Sequence, residues 1–300
     1  MVQVDSMKKR LVLIMNPTAG KGRAEKTLPE LVSLFTAAGY LVSSHLTDKA
    51  GDATKLAAQH GEEADLLVCC GGDGTLNETV NGLMTLSRRP QMGYIPAGTT
   101  NDFAISMSIP RDMLTAAGTI INGQPFPLDI GKLNNRYFAY LASFGAFTGV
   151  SHVTPQNAKN AIGWLAYILE GIRDMPNIRS YHVHVEAPGH TYDDDFIFGA
   201  VSNSLSIGGL FKLDAKIVDL SDGKFEVLLI KYPNNPIELG NIIAALQTQD
   251  YDNELMYFFH TAELTIRASD SMPWTLDGEF APSLAQDTIN NIQQAIEIIL

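Results

Sequence analysis

The sequence predicts a two-part fold: an α/β half on a parallel sheet, then an antiparallel β half with helical insertions. Up to Gln124, short apolar runs alternate with segments of helical period, as in βαβ units. After Asn122-Gly123, extended runs separated by turns dominate. Charge divides the chain at the same place, with 11 basic and 12 acidic side chains up to Gln124 against 10 and 21 from Pro125 onward. We therefore place the domains at 1–124 and 125–300, and leave open whether the last strand returns to the first domain.

The first half contains strands that are short apolar runs and helices with one apolar face. Gly39 suits the C′ position after the first helix. Loops begin directly after strands at Asn16, Gly71 and Pro96. Because the carboxyl ends of parallel strands meet at one edge of a sheet, we expect these loops to converge on a ligand crevice. The predicted elements are strand 11–15, helix 24–38, strand 40–46, helix 52–59, strand 66–70, helix 76–83, strand 92–95 and helix 112–121.

The second half reads as strands punctuated by turns, with helices as interruptions. Residues 295–300 fit a helix or a strand, and we favour a strand. Asp193-Asp194-Asp195 is expected in a solvated loop. The predicted strands are 126–133, 137–144, 181–186, 196–202, 224–230 and 263–268, and the predicted helices are 156–173 and 236–247.

Composition excludes several classes of protein. The net charge of −12 argues against a general nucleic-acid binder. No apolar run approaches the ~18 residues of a membrane span, and the N-terminus lacks the apolar region of a secretory signal. The cysteines are adjacent, Cys69 and Cys70, so they cannot staple the fold and they suit a reducing cytosol. The seven histidines show no metal-binding spacing.

A glycine-rich turn, Gly71-Gly72-Asp73-Gly74-Thr75, lies between a buried strand and a helix. Glycines let the backbone approach a ligand closely, and the free N–H groups of a helix start favour an anion. An acid there repels bare phosphate, so Asp73 suits a metal ion, a metal-bound water or a substrate hydroxyl. Thr75 and Glu78 have the spacing of a capping box. A structural alternative is a tight turn with Asp73 as an exposed cap.

Two further loops of the first half are candidates for phosphate binding. Lys21 follows a strand in Gly20-Lys21-Gly22, but the order of residues does not match a Walker A motif, so a solvated turn is an equal alternative. In 98–102, Thr99 could donate to a phosphate and Asp102 could share a metal–water network with Asp73. Alternatively, Asn101 or Asp102 only caps the next helix.

In the second half, two Asp-Gly turns carry acids. Residues 219–224 are first a hairpin turn, and alternatively a site where a carboxylate and backbone carbonyls hold a hard cation. Asp277-Gly278-Glu279 is also a turn, from which Glu279 could act as a general base.

Four motifs in order resemble the diacylglycerol kinase catalytic family, and within it the soluble bacterial YegS-like lipid kinases. They are Asn16-Pro17-Thr18-Ala19-Gly20, residues 71–78 (Gly-Gly-Asp-Gly-Thr-Leu-Asn-Glu), residues 98–104 (Gly-Thr-Thr-Asn-Asp-Phe-Ala) and Leu276-Asp277-Gly278-Glu279. The resemblance runs from about Lys9 to Leu300, although Gly-Gly-Asp-Gly-Thr also occurs in NAD kinases. It implies an α/β nucleotide-binding domain and a C-terminal β-sandwich, with the active site between them.

The resemblance also implies roles for particular residues. Glu279 would be the base that deprotonates the lipid hydroxyl, and Asp73 the second catalytic acid. Asp222 would hold Mg²⁺ together with the backbone carbonyls of Asp219 and Lys224, and Asp73 and Asp102 would join that ion through water. Lys224 stands where the family usually has an apolar or aromatic residue, but only its carbonyl is needed. The implied ATP contacts are Asn16, Thr18, Thr47, Gly71, Gly72, Asp73, Gly74, Thr75, Leu76, Asn77 and Thr99.

The implied function is an ATP- and Mg²⁺-dependent lipid kinase, cytoplasmic and peripheral at the inner face of the membrane, acting on diacylglycerol or another lipid hydroxyl. A non-catalytic lipid sensor is an alternative that the intact acids disfavour. An NAD kinase is another, disfavoured by the Asn-Pro start and the Asp-Gly-Glu end. A homodimer is compatible with the sequence but not specified by it. Six aromatic side chains could line an acyl groove, with core packing as their alternative role. They are Phe138, Tyr140, Phe144, Phe147, Trp164 and Phe211.

Overall fold

The computed structural model describes residues 8–145, 179–207, 211–213, 216–251 and 253–300. The chain divides into two compact units. The first unit comprises Met1–Leu128 and Gln294–Leu300, and the second unit comprises Asp129–Gln293. Residues 294–300 therefore belong with the first half of the sequence.

The first unit is built on a parallel sheet in the strand order β2-β1-β3-β4. β1 and β3 are apolar along almost their whole length and are buried, as expected of central strands in a parallel sheet. The last residues of β17 add to the sheet beside β4, where Ile298 pairs with Met92. The elements are β1 (Arg10–Met15), α1 (Ala19–Ala37), β2 (Leu41–Leu46), α2 (Asp52–His60), β3 (Leu66–Gly71), α3 (Asp73–Leu83), β4 (Gln91–Pro96), α4 (Asp102–Ser106) and α5 (Met113–Asn122).

The start of α1 departs from regular helix. Gly20, Lys21 and Gly22 all have left-handed backbone angles, with φ of 62°, 61° and 78°. Regular helix therefore begins after Gly22, close to the predicted start at residue 24. Gly39 follows the helix with φ +93°, which confirms the predicted C′ glycine.

The second unit is an antiparallel sheet in the order β16-β15-β7-β9-β8-β14-β17, with β12 beside β9 and β13 beside β12. Asn235 caps the one long helix of its described part, accepting from the N–H groups of Ile237 and Glu238. The elements are β5 (Pro125–Leu133), β6 (Arg136–Phe138), β7 (Leu141–Gly145), β8 (Tyr181–Ala187), β9 (His190–Ser202), β10 (Ser206–Ile207), β11 (Phe211–Lys212), β12 (Phe225–Lys231), α6 (Pro236–Thr248), β13 (Met256–Thr261), β14 (Glu263–Ala268), β15 (Trp274–Leu276), β16 (Glu279–Ala281) and β17 (Asp287–Ile299).

Aromatic side chains fill the core of the second unit. Phe138, Phe144 and Trp274 are each 0% exposed, and the rings of Phe144 and Trp274 meet edge to face at 5.2 Å. Phe138, Phe144 and the buried Tyr140 therefore take the core role rather than lining a groove. Phe147, Trp164 and the predicted helix 156–173 lie outside the described residues.

Several predicted boundaries of the second half were wrong, each for a tertiary reason. The predicted strand 137–144 is two strands, because the N–H groups of Ala139 and Tyr140 bind the Asp277 carboxylate. Asp193-Asp194-Asp195 lies in β9 and not in a loop, because the acids pair with basic side chains on neighbouring strands, as in the 3.1 Å contact of Asp194 with Lys231. Residues 219–224 do not connect two paired strands, so they are not a hairpin turn.

The architecture confirms the predicted fold class. A parallel α/β half precedes an antiparallel β half, and the strand preferred for residues 295–300 is the end of β17. Among the helices that the structure describes, none has the length and apolar character needed to cross a bilayer.

Candidate active site

Three loops of the first unit lie side by side, because they follow neighbouring parallel strands. The N–H of Asn16, after β1, donates to Cys70 O at 2.9 Å, and the N–H of Ala97, after β4, donates to Gly71 O at 2.8 Å. The Tyr94 hydroxyl also donates to Gly71 O at 3.1 Å. The loops that the sequence placed at one edge of the sheet are thus held together by direct hydrogen bonds.

Glycines let these loops touch backbone to backbone. A Cβ added at Gly98 would lie 2.6 Å from Gly72 Cα, closer than any side chain could be accommodated without movement of the backbone. A Cβ at Gly20 would lie 2.9 Å from Ala97 O, at a φ of +62° that also favours glycine. The loops after β1, β3 and β4 therefore form one compact surface of backbone groups.

Asp73, the first residue of α3, joins the second glycine loop to the third. Its Oδ2 accepts from the Asp102 N–H at 3.1 Å, and its Oδ1 accepts from the Phe103 N–H at 3.3 Å. Burial raises the pKa of Asp73, and these backbone hydrogen bonds oppose the rise. The structure therefore brings Asp73 and Asp102 together, as the sequence suggested, through the carboxylate of one and the amide of the other.

The predicted capping box of α3 was wrong. The helix starts at Asp73, its N-cap is Gly72, and no side chain in the described part of the chain caps it. Glu78 instead accepts from the N–H groups of Gly51 at 2.7 Å and Ala53 at 3.2 Å, at the start of α2. The capping spacing was fortuitous, because α2 packs against α3 and offers its own free amides to Glu78.

The other proposed nucleotide contacts lie around the same loops. Asn16 Oδ1 accepts from the Thr18 N–H and hydroxyl at 3.1 and 2.9 Å, which orders the first loop. Thr47 follows β2, and its N–H donates to Met15 O at 2.9 Å. Thr99 is exposed in the third loop. Within α3, Gly74 and Thr75 are half-buried, whereas Leu76 and Asn77 are 1% and 4% exposed. A ligand would therefore meet those last two residues mainly through their backbone.

In the second unit, the turn of residues 219–224 is held by its own carboxylates. Asp219 Oδ1 accepts from the Ser221 N–H at 3.0 Å, and Asp222 Oδ1 accepts from the Lys224 N–H at 2.8 Å. The fully buried Asp129 accepts from the Gly223 N–H at 2.7 Å. Asp219, Asp222 and Lys224 are themselves exposed.

Glu279 stands at the start of β16, directly after a two-residue turn. Asp277 and Gly278 have φ of 49° and 89°, the angles of a tight β-hairpin turn. Asp277 is 2% exposed, and its carboxylate accepts from the N–H groups of Ala139, Tyr140 and Leu141 at 2.6, 3.0 and 3.0 Å. Glu279 is exposed and takes no part in these bonds. The buried Asp277 thus holds the turn, and Glu279 is left exposed to solvent.

Comparison with known proteins assigns this arrangement to a family. The family model of the diacylglycerol kinase catalytic domain matches residues 10–133. A curated diacylglycerol kinase of Bacillus subtilis (strain 168) is 37% identical over 284 residues, covering 94% of this chain and 93% of the relative. One of Staphylococcus aureus (strain bovine RF122 / ET3-1) is 36% identical over 289 residues, covering 95% and 90%.

The chain belongs to the diacylglycerol kinase family. It is a lipid kinase, as the sequence predicted. A crystal structure from Bacillus anthracis str. Sterne, provisionally assigned as a diacylglycerol kinase, superposes with a TM-score of 0.80 at 26% identity, covering 100% of this chain and 97% of that one. Another from the same strain superposes with a TM-score of 0.76 at 23% identity, covering 98% of each chain, and supports the fold.

The second unit of this lipid kinase fits the cation that the family resemblance implies. Within the described residues, no three His, Cys, Asp or Glu side chains form a ready-made metal site. The implied ligand set does not need one, since it combines the Asp222 carboxylate with two backbone carbonyls. Two residues after that turn, Glu226 Oε2 is buried and has no hydrogen-bond partner among the residues that the structure describes. Burial raises the pKa of Glu226 to about 8, and the nearby Asp222 and Asp219 add to the rise. The exposed carboxylates of Asp219 and Asp222 supply the negative charge that suits a bound cation.

Reasoning from the sequence missed three buried groups of the kinase. Asp277 was treated only as part of a turn, and Glu226 as part of a strand. Asp129 was also passed over, although a lone acid in the apolar run Phe126-Pro127-Leu128-Asp129-Ile130 was a readable signal. For Asp277 and Glu226, no local pattern shows that the side chain points into the protein.

Proposed function

We propose that this lipid kinase transfers the γ-phosphoryl group of ATP to the 3-hydroxyl of diacylglycerol, producing phosphatidic acid and ADP. The observation that carries the proposal is the contact of three loops in the first unit: the loop after β1 meets Cys70 and Ala97, and the loops after β3 and β4 meet at Gly72 and Gly98. Backbone N–H groups of such loops, at the start of a helix, suit the phosphates of a nucleotide. The names of the curated relatives support diacylglycerol as the acceptor.

Glu279 is proposed as the base, because its carboxylate is exposed on a turn that Asp277 holds rigid. The acceptor oxygen forms a bond to the γ-phosphorus while the bond between that phosphorus and the β–γ bridging oxygen breaks. The hydroxyl proton passes to Glu279, and ADP leaves. A positioned carboxylate in this role contributes roughly 10²–10⁴-fold to the rate.

Asp222 and the carbonyls of Asp219 and Lys224 are proposed to hold Mg²⁺, with Asp73 and Asp102 engaging its waters. When bound, the ion offsets charge that develops on the transferred phosphoryl group. The lipid acceptor places the reaction at a membrane surface, and the adjacent free cysteines suit the cytoplasmic side.

The test is transfer of ³²P from ATP to diacylglycerol in mixed micelles, with product identification by mass spectrometry. Wild type should produce labelled phosphatidic acid, and Glu279→Gln should lower the rate at least ~100-fold with little change in melting temperature. Glu263→Gln, which removes the same charge from an exposed strand position of the second unit, should retain activity.

Phosphatidylglycerol, a long-chain base and NAD are offered in parallel reactions. Preferred labelling of another lipid would overturn diacylglycerol as the substrate. Formation of NADP, or ATP binding without transfer to any acceptor, would overturn the proposed reaction. Full activity of Glu279→Gln would remove Glu279 from the mechanism.

A further inference from the structure

Two large apolar side chains of the second unit are exposed directly after the proposed base. Phe280 is 65% exposed and Leu284 is 60% exposed, although most large apolar side chains of this unit are buried. No charged residue stands between Glu279 and Asp287, in a half of the chain that carries 21 acids. A single exposed apolar side chain is ordinary, but a pair on an uncharged segment indicates a surface that contacts a partner. We refer to residues 280–286 as the 280–286 segment.

Hydrogen bonds anchor this segment to its own unit. Phe280 O accepts from Arg136 Nη1 at 2.6 Å, and the Leu284 N–H donates to Asp287 Oδ1 at 3.0 Å. Asp287 is itself 2% exposed, and its other carboxylate oxygen accepts from Trp274 Nε1 at 2.8 Å. Both apolar side chains therefore extend from a backbone that is held in place, so little conformational freedom would be lost on binding.

Strand pairing explains why Phe280 does not turn inward. In β16, Ala281 pairs with Trp274 and is 1% exposed, and Phe280 pairs with Thr275. Because side chains alternate along a strand, Phe280 extends to the side opposite the core. Glu279, one residue earlier, lies on the other side of the strand, so Phe280 does not cover its carboxylate. A partner that contacts Phe280 would thus lie within one residue of the proposed base.

Arg136 supplies positive charge beside the 280–286 segment. One N–H of its guanidinium binds Phe280 O, and further N–H donors remain. Within the described part of the chain, no carboxylate pairs with Arg136. A planar guanidinium suits the oxygens of a phosphate group. Since this half of the chain is acidic, a local cation is needed where it approaches an anionic surface.

A lipid bilayer is the partner that fits this surface. The chain is a lipid kinase, and its lipid acceptor resides in a membrane. Two apolar side chains are too few for a stable protein–protein interface, which takes roughly 20–30 residues from each partner. They suit the boundary between headgroups and acyl chains, where apolar side chains enter and a neighbouring basic side chain meets phosphate. Such a contact is reversible, as an enzyme that moves between substrate molecules requires.

We propose that the 280–286 segment docks this kinase on bilayers of anionic phospholipid. Phe280 and Leu284 enter the interface, and Arg136 binds the headgroup phosphate of an anionic lipid. The inference rests on the proposed function, because it places the bilayer beside the base Glu279. The docked kinase then meets the diacylglycerol hydroxyl at the membrane surface. Docking also offsets the repulsion between the acidic half of the chain and anionic lipids.

Vesicle sedimentation tests the surface in the full chain, without nucleotide. The vesicles contain phosphatidylglycerol and phosphatidylcholine and no diacylglycerol. Phe280→Ser and Leu284→Ser should each weaken binding roughly 10-fold, because each removes an apolar side chain from the interface. Ile237→Ser is the matched control, since Ile237 of the same unit is 75% exposed at the start of α6, and it should bind as wild type does.

Three outcomes of this experiment would overturn the inference. The first is a wild-type chain that does not bind the vesicles, and the second is unchanged binding in both serine variants. The third is an equal loss in Ile237→Ser, which would show that any exposed apolar side chain has the same effect.

The variant Arg136→Gln tests the contact with lipid phosphate. It should weaken binding to vesicles with phosphatidylglycerol about 5-fold and change binding to pure phosphatidylcholine little, because the lost charge acts on anionic lipid. Unchanged binding to both kinds of vesicle would overturn the role of Arg136. An equal loss on both would overturn it too, and would assign Arg136 to holding the segment through Phe280 O.

The variant Phe280→Trp decides the question if a serine variant does not fold. Vesicles should shift the emission of the new tryptophan to the blue and protect it from acrylamide, measured against the two tryptophans of wild type. Ile237→Trp should show neither change. Emission of Phe280→Trp that vesicles leave unaltered would overturn the inference.

Failure of this inference is distinguishable from failure of the proposed function, because vesicle binding requires no turnover. Binding through Phe280 and Leu284 with no labelled lipid would overturn the reaction and retain the surface. Labelled diacylglycerol, with vesicle binding that does not depend on these two side chains, would do the reverse. If both are correct, Phe280→Ser should lower the rate on diacylglycerol in vesicles more than the rate on a water-soluble, short-chain diacylglycerol.

Discussion

Two turns of this kinase contain the same dipeptide, Asp-Gly, and use the acid differently. In the first unit, Asp73 is half-buried, and each of its carboxylate oxygens accepts a hydrogen bond from an amide at the start of α4. In the second unit, Asp277 is 2% exposed and accepts from three consecutive amides. Asp73 therefore retains access to solvent, whereas Asp277 is buried and its carboxylate serves only to hold the structure.

The difference shows that an acid in a glycine turn is not by itself evidence for catalysis. The sequence directed attention to Asp73, because three glycines surround it. Asp277 has the stronger set of hydrogen bonds, and its consequence is to hold the exposed Glu279 in place. Because the buried acid makes the structural hydrogen bonds, the exposed acid beside it is held in position while its own carboxylate stays accessible.

The largest expected effect comes from making the same change in both turns. Asp277→Asn should lower the free energy of unfolding by about 2–4 kcal/mol, because the new amide nitrogen faces buried N–H donors and the charge that strengthened three hydrogen bonds is lost. Asp73→Asn should cost only about 1 kcal/mol, since one oxygen remains for one of two amides. Urea unfolding of both variants measures the difference, and equal losses would contradict the comparison.

Contact between the glycine loops supplies the next test. Gly98→Ala should lower stability by about 1–3 kcal/mol and reduce ATP binding, because its Cβ would lie 2.6 Å from Gly72 Cα. Gly118→Ala in α5 is the matched control, since a Cβ there meets nothing within 4 Å and alanine favours the helix by up to about 1 kcal/mol. Unfolding curves and ATP titrations measure both effects, and an unchanged Gly98→Ala variant would show that the loops can separate.

The smallest effect concerns the strand that leads into the Asp73 turn. Burial raises the pKa of the Cys69 thiol from 9.0 to about 12 and also raises that of Cys70. Both thiols should therefore resist a thiol-reactive dye at pH 8 in the folded protein and react once urea unfolds it. The folded pKa lies above the unfolded one, so the contribution of Cys69 to stability is complete below pH 9 and declines as the pH rises toward 12. Rapid labelling of the native protein would show that β3 opens locally.

Local patterns predicted most of the first unit correctly. Apolar runs and glycine turns predicted most strand boundaries of this unit to within one residue. They could do so because a buried parallel strand and the turn after it are both encoded by adjacent residues. The second unit was harder. Its strand 137–144 is broken by Asp277, 138 residues away from Ala139, and no window of sequence contains both partners.

The residues of the candidate site divide in the same way, into those that local motifs predict and those that depend on contacts between distant segments. The positions of Asp73, Asp222 and Glu279 on turns were readable from motifs. The role of Glu78 in capping α2 could not be read from the sequence. Its amide partner Gly51 lies 27 residues earlier, at the start of a helix that only packing brings near.

By itself, the sequence determined the order of the two halves, the glycine loops and the resemblance to a lipid kinase family, because residue periodicity and turn chemistry act over a few neighbouring positions. Only the tertiary structure decided which carboxylates are buried and which are exposed. It places Asp277 and Glu226 in the interior and Glu279 at the surface. A carboxylate's role depends on the donors and charges around it, and these come from segments that are distant in the chain.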